Sequence, residues 1–184
     1  MVTYKRLDKF EDSILLPLQT GYQSDERFRV SKLETENRIE IILELTRQDT
    51  LYVKQWECTD EDLAMYDRVI AKGHSFAVYD GSTIIGVALA EAREWNRTFW
   101  IWEFHVRKEY QRQGIGKKLM NLMADEARGI HMRTMLVETQ NTNLAAIRFY
   151  RAVGFSLEGV DLSYYTNHDL ENGEVAIFMK RNIE

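Results

Sequence analysis

Between residues 98 and 129 the chain passes from a dense apolar run, through a loop with two glycines, into an amphipathic segment. That succession limits the folds open to it. The run Thr98-Phe-Trp-Ile-Trp-Glu-Phe-His-Val106 is rich in aromatic and β-branched residues and predicts a buried strand. Ile115, Leu119, Leu122, Met123 and Ala127 then recur at three- and four-residue intervals, with Lys117, Lys118, Asn121, Asp125 and Arg128 between them. That spacing predicts a helix ending near Gly129. The two elements are joined through Gln111-Arg112-Gln113-Gly114-Ile115-Gly116. A strand, such a loop and a helix aim unpaired backbone N–H groups at one point and add the positive end of the helix dipole, which suits a phosphate group.

Spacing excludes the two common phosphate loops. A Walker loop needs a glycine five residues before the Gly116-Lys117 pair, where Gln111 stands. A dinucleotide fingerprint needs a third glycine at position 119, which is Leu.

Along the rest of the chain, Val2–Leu7 predicts a short strand and Glu11–Thr20 a poor helix interrupted by Pro17. Phe28–Val30 reads as a strand; Ile39–Leu45 reads as a strand by alternation, or as a helix with Ile39, Ile42 and Leu43 inward. Thr59 or Asp60 caps a helix reaching Lys72 and closed by Gly73. Ser75–Tyr79 and Thr83–Glu91 read as strands joined through Asp80-Gly81, with the positive φ at both central residues that a type I′ turn requires. Thr134–Val137 is expected as a strand parallel to Trp100–Val106 through a right-handed crossover. Leu144–Val153 follows as a helix. Phe155–Tyr165 and Glu174–Met179 read as a final antiparallel pair.

With 184 residues, 45% hydrophobic and 29% charged, the chain suits one globular domain over residues 1–184. The lone Cys58 excludes an internal disulfide and fits a reducing compartment, so a cytoplasmic location is expected. The first residues lack the apolar core of a signal peptide, and no run has the length to cross a bilayer. A formal net charge of -5 disfavours nucleic acid as a partner, and the four histidines lack metal-ligand spacing, so no metal is expected.

A second pattern, Asn143-x-x-Ala146-x-x-x-Tyr150 followed by Gly154-Phe155, stands one strand and one helix beyond the glycine loop. Together with Gln111-x-x-Gly114-x-Gly116, which fits Q/R-x-x-G-x-G/A, it resembles the GNAT acetyltransferase superfamily over roughly residues 75–180. The resemblance implies an α/β (α+β) fold: a mixed, mostly antiparallel central sheet, a parallel strand pair splayed at its centre, and helices on both faces. It implies an acetyl-CoA-dependent N-acetyltransferase in which backbone N–H groups of Gln113, Gly114, Ile115, Gly116 and Lys117 take the pyrophosphate, beside Gln111 and Arg112. The strand edge at Phe104, His105 and Val106 would pair with the pantetheine amides. Tyr150 resembles the tyrosine that protonates the departing sulfur; Asn143 and Ala146 resemble positions near the cofactor, though Asn143 is also a plain helix cap. GNAT proteins are often dimers, which leaves a homodimer open. Within the superfamily the narrower likeness is to the streptothricin acetyltransferases, on Glu138-Thr-Gln-Asn-x-Asn143, Ala145-Ala146, Phe149-Tyr150, Gly154-Phe155, Gly159-x-Asp161-Leu162-x-x-Tyr165 and Glu174-x-Ala176. These enzymes acetylate the β-lysine amine of a cationic antibiotic.

An amine with an ordinary pKa of about 10.4 must lose a proton before it attacks a thioester. Glu103 is the leading candidate base, because a carboxylate inside an apolar strand is costly without a role or a partner. The alternatives are that it orders the amine or sits at an exposed edge. His105 shares its face by alternation and could act directly or through water; Glu138, at a strand end, is a third candidate. Asp161 and Tyr164 are candidates to line the acceptor side. Two other readings stand beside a small-amine acetyltransferase: acetylation of protein N-termini or lysines, and a non-catalytic acetyl-CoA-binding module.

Overall fold

The computed structural model describes residues 1–9, 18 and 20–184. The helix expected over Glu11–Thr20 lies outside the described residues, apart from Leu18 and Thr20. Backbone contacts group the chain into two compact units, the first made of Met1–Thr20, Trp56–Val137 and Arg181–Glu184, the second of Gly21–Gln55 and Glu138–Lys180.

In the first unit, β1 (Val2–Arg6), β4 (Phe76–Asp80), β5 (Thr83–Arg93), β6 (Thr98–Val106) and β7 (Thr134–Gln140) lie side by side in that order. All neighbours are antiparallel except β6 and β7, which are parallel, as the crossover through α2 (Ile115–Gly129) demands. Asp80 pairs with Thr83, so the turn residues are Gly81 and Ser82 rather than Asp80 and Gly81. Only Gly81 has positive φ, at 60°, so the expected type I′ turn, which needs it at both central positions, does not form.

α1 (Asp60–Ile70) begins with a capping box. The Thr59 hydroxyl accepts from the Asp62 N–H at 3.2 Å, and the Asp62 carboxylate accepts from the Thr59 N–H at 2.9 Å. Its inward residues Tyr66, Val69 and Ile70 join Leu7, Leu18, Ala77, Val87 and Leu89 in one buried cluster. β5 and β6 slip register between Leu89–Glu103 and Ala90–Ile101, which makes Trp102 the extra residue of a β-bulge. The parallel pairing covers Thr98–Ile101 against Thr134–Val137, and β6 continues to Val106 beyond it. The fold class is therefore the one expected: mixed α/β, a mostly antiparallel sheet with a parallel β6–β7 pair, flanked by helices.

One ion-pair network ties the first unit together. Arg6 grips Glu126 of α2 through both carboxylate oxygens, at 2.9 and 2.8 Å, and His74 Nδ1 lies 2.9 Å from Oε1. The Arg6 hydrogen bond holds the Glu126 carboxyl below its ordinary range against the opposing effect of burial. A depressed native pKa stabilises the fold above the unfolded pKa and is lost as pH falls through the native one. Glu126→Gln should therefore cost about 1 kcal/mol near pH 7. In urea melts at a series of pH values the deficit should shrink below about pH 4.3 and vanish once the native carboxyl is protonated.

In the second unit, β2 (Tyr22–Thr35) and β3 (Arg38–Lys54) form a long antiparallel ribbon, which settles Ile39–Leu45 as strand. The register puts Phe28, Val30, Leu43, Leu45, Ile41 and Ile39 on one face and Arg27, Arg29, Glu44 and Glu40 on the other, so period-two alternation decides the segment. α3 (Leu144–Ala152) is capped by Asn143, whose Oδ1 accepts from the Ala146 N–H at 3.2 Å. β8 (Ser156–Asp161) and β9 (Ala176–Asn182) make the final pair, shorter at its first strand than expected. The loop between them contains a four-residue turn of helix, α4 (Asp169–Asn172), closed by Gly173 at φ 77°. β7 runs on to Gln140, three residues past the expected end, because the polar Glu138-Thr-Gln140 keeps strand geometry.

Candidate active site

The loop between β6 and α2 enters the helix through a left-handed turn. Arg112 and Gly114 both lie in the left-handed region, at φ 60° and 82°. Gly114 is the N-cap of α2 and has no side chain to cap it; the first bond closing this end runs from the Lys118 N–H to the Gly114 carbonyl at 3.0 Å. The N–H groups of Ile115, Gly116 and Lys117 thus precede the helix's own ladder. Gln111 and Gln113 brace the loop by donating to the Val106 and Glu109 carbonyls at 2.9 and 2.8 Å. A Cβ built on Gly114 meets nothing within 4 Å, so the space in front of the loop is open. Lys118 is turned to β1, where its ammonium sits 4.6 Å from the centre of the Tyr4 ring.

At the end of β6 that leads into this loop, Phe104, His105 and Val106 are half-buried and pair with Ala88, Val87 and Gly86 of β5. Glu103 and His105 point to the same side, and both are bonded. The Tyr66 hydroxyl donates to Glu103 Oε1, and His105 Nε2 lies 2.5 Å from Glu103 Oε2. Glu103 is thus neither an exposed edge carboxylate nor an isolated buried one. Its side chain is 18% exposed and that of His105 21%.

In the second unit, Tyr150 is 8% exposed and packs with Phe149 and Phe155, ring centres 5.5 and 5.6 Å away. Asn143 and Ala146 are joined by the cap bond already described. The Tyr165 hydroxyl donates to Glu138 Oε1, and burial followed by the Glu138 charge pushes the phenol far above its ordinary range. Glu174 accepts from the Tyr52 hydroxyl and, at 2.7 Å, from the Lys54 ammonium; burial, followed by Glu174, pushes Tyr52 up to about 12. Asp161 Oδ1 accepts from the Ser163 N–H at 3.0 Å. Tyr164 is 42% exposed, with its ring edge-on to Tyr165 and Phe178. A cavity in the same unit is lined by Arg27, Arg29, Asn141, Glu171 and Gly173 among others; two arginines against one glutamate suit an ammonium poorly.

Tyr66, Tyr52 and Lys54 escape a reading of the sequence for site chemistry, and Glu174 enters it only through the family likeness. Tyr66 occupies an inward position of α1 and reads as core; Tyr52 and Lys54 belong to a strand whose extent the residues 21–50 leave open. Among the described residues no group of histidines, cysteines and carboxylates could hold a metal ion, and no helix is long and apolar enough to cross a membrane.

The chain belongs to the Acetyltransferase (GNAT) family, whose profile matches residues 39–155. Its activity is acetyl-CoA-dependent N-acetyl transfer. Among relatives, the chain is 30% identical to streptothricin acetyltransferase A of Bacillus subtilis strain 168 over 128 residues, 69% of this chain and 71% of that protein. The crystal structure of nourseothricin acetyltransferase matches with a TM-score of 0.77 at 25% identity, over 100% of this chain and 99% of that one. A Bacillus anthracis Ames protein assigned to the streptothricin acetyltransferases, solved with acetyl coenzyme A, matches with a TM-score of 0.75 at 25% identity over the same shares.

Proposed function

We propose that the 184 residues act as a single acetyltransferase domain in the cytoplasm that acetylates a primary amine of a small cationic antibiotic, with streptothricin and its β-lysine amine as the leading substrate. The observation that carries this reading is the end-to-end likeness to nourseothricin acetyltransferase, over 100% of this chain and 99% of that one. The half-buried carboxylate Glu138, bonded to the Tyr165 hydroxyl, supports it, because a cationic acceptor needs an anionic partner.

In this reading the N–H groups of Gln113 to Lys117 hold the pyrophosphate, with Gln111 bracing the loop and Arg112 adding charge. Phe104, His105 and Val106 offer backbone to the pantetheine arm. Asn143 and Ala146 set the start of α3 near the cofactor. The Glu103–His105 pair takes the proton from the amine, Tyr150 returns one to the departing thiolate, and Glu138, Asp161 and Tyr164 line the acceptor side. A homodimer is the proposed assembly.

Thiol release from acetyl-CoA, followed across streptothricin, aminoglycosides, polyamines and peptides, tests the reading. Streptothricin should be turned over with a kcat/KM at least ~100-fold above the other amines. Preferred turnover of peptide N-termini or lysines would replace it with protein acetylation, and binding of acetyl-CoA without thiol release would leave a non-catalytic module.

A further inference from the structure

Both oxygens of Glu103 are engaged. Oε1 accepts from the buried hydroxyl of Tyr66, and Oε2 faces His105 Nε2 at 2.5 Å. An ionised carboxylate only accepts hydrogen bonds, so the proton of a neutral His105 ring sits on Nε2 and the lone pair on Nδ1. Among the described residues nothing is bonded to Nδ1. Tyr66 is 5% exposed and comes from α1, whereas Glu103 and His105 come from β6, so the carboxylate is clamped between two elements whose packing is shared through the Leu89–Val87 core.

We infer that His105 Nδ1, not Glu103, receives the proton of the acceptor amine, with Glu103 holding the ring in the tautomer that can accept it and Tyr66 fixing the carboxylate. The inference rests on the proposal that this end of β6 faces the amine. In the step, one N–H bond of the substrate ammonium breaks and a bond forms at Nδ1. The ring becomes an imidazolium beside the carboxylate, which stays ionised, and the proton passes to water once the amide product has left. Glu103 and Tyr66 are positioning residues: neither touches the transferred proton.

Three variants separate the roles, each assayed for thiol release with streptothricin or, should another amine prove the substrate, with that amine. His105→Ala should lower kcat by ~100-fold or more, and added free imidazole should restore a large part of the rate. Tyr66→Phe keeps the packed ring and should lower kcat about 10-fold with both KM values unchanged, since the orienting hydrogen bond to Glu103 is lost. Imidazole should not rescue it. A His105→Ala enzyme within two-fold of wild type while Glu103→Gln is impaired overturns the inference and leaves Glu103 as the base. A loss in His105→Ala that imidazole leaves untouched also overturns it. Wild-type turnover in all three variants removes the end of β6 from the chemistry, and with it the reading on which the inference rests.

Discussion

Tyr150→Phe should lower kcat by ~100-fold or more while leaving acetyl-CoA affinity within about two-fold of wild type. The substitution removes one oxygen and nothing else. The ring keeps its place between Phe149 and Phe155, so the fold should be retained. What is lost is a proton donor. A thioester that collapses toward an amide expels a thiolate, and a phenol, whose ordinary pKa is about 10, is still protonated at neutral pH and able to quench it. Single-turnover kinetics distinguish the roles: slowed chemistry with an unaltered Kd assigns Tyr150 to the acid step. An unaltered rate would return it to what helical periodicity alone makes of it, a core aromatic.

The second large effect is expected at Gly114. Replacing it by Asp asks two opposite things of one position. Asp is among the few side chains that visit the left-handed region, so the strain at a φ of 82° should cost about 1–2 kcal/mol and the fold should be retained. The same carboxylate occupies the N–H groups proposed to bind pyrophosphate and sets a negative charge where two more must dock. Acetyl-CoA affinity should fall by about 100-fold, or about 2.7 kcal/mol. Gly114→Asn, with the same shape and no charge, should lose much less. Equal affinity in the Asp variant and the wild type would show that the phosphates bind elsewhere.

The parts of this architecture that local chemistry dictates were legible in the sequence. The helix start at Thr59-Asp60, the amphipathic period of α2 and the aromatic strand β6 each follow from side chains within one element, and the parallel β6–β7 pair follows from the connection between them. Reading failed where a tertiary partner decides. Ile39–Leu45 fits two periods until its register with Phe28 and Val30 selects one. Glu138–Gln140 looks like a loop because its side chains are polar, yet it completes a strand. The turn at Gly81-Ser82 shifted by one residue from its Asp-Gly signal because the strand pairing, not the dipeptide, fixes the centre. At the site, Glu103 stood out as a carboxylate in an apolar strand, but nothing in its neighbours along the chain announced Tyr66, which lies 37 residues away.

Isothermal titration of the wild-type protein with acetyl-CoA, and with CoA alone, tests most directly whether the loop between β6 and α2 is a phosphate cradle. Saturable binding of both, with Kd between about 1 μM and 1 mM and a steep weakening in Gly114→Asp, is the expected result. No saturable heat with either ligand at millimolar concentration would contradict it, and would leave Tyr150, Glu103 and His105 without a reaction to serve.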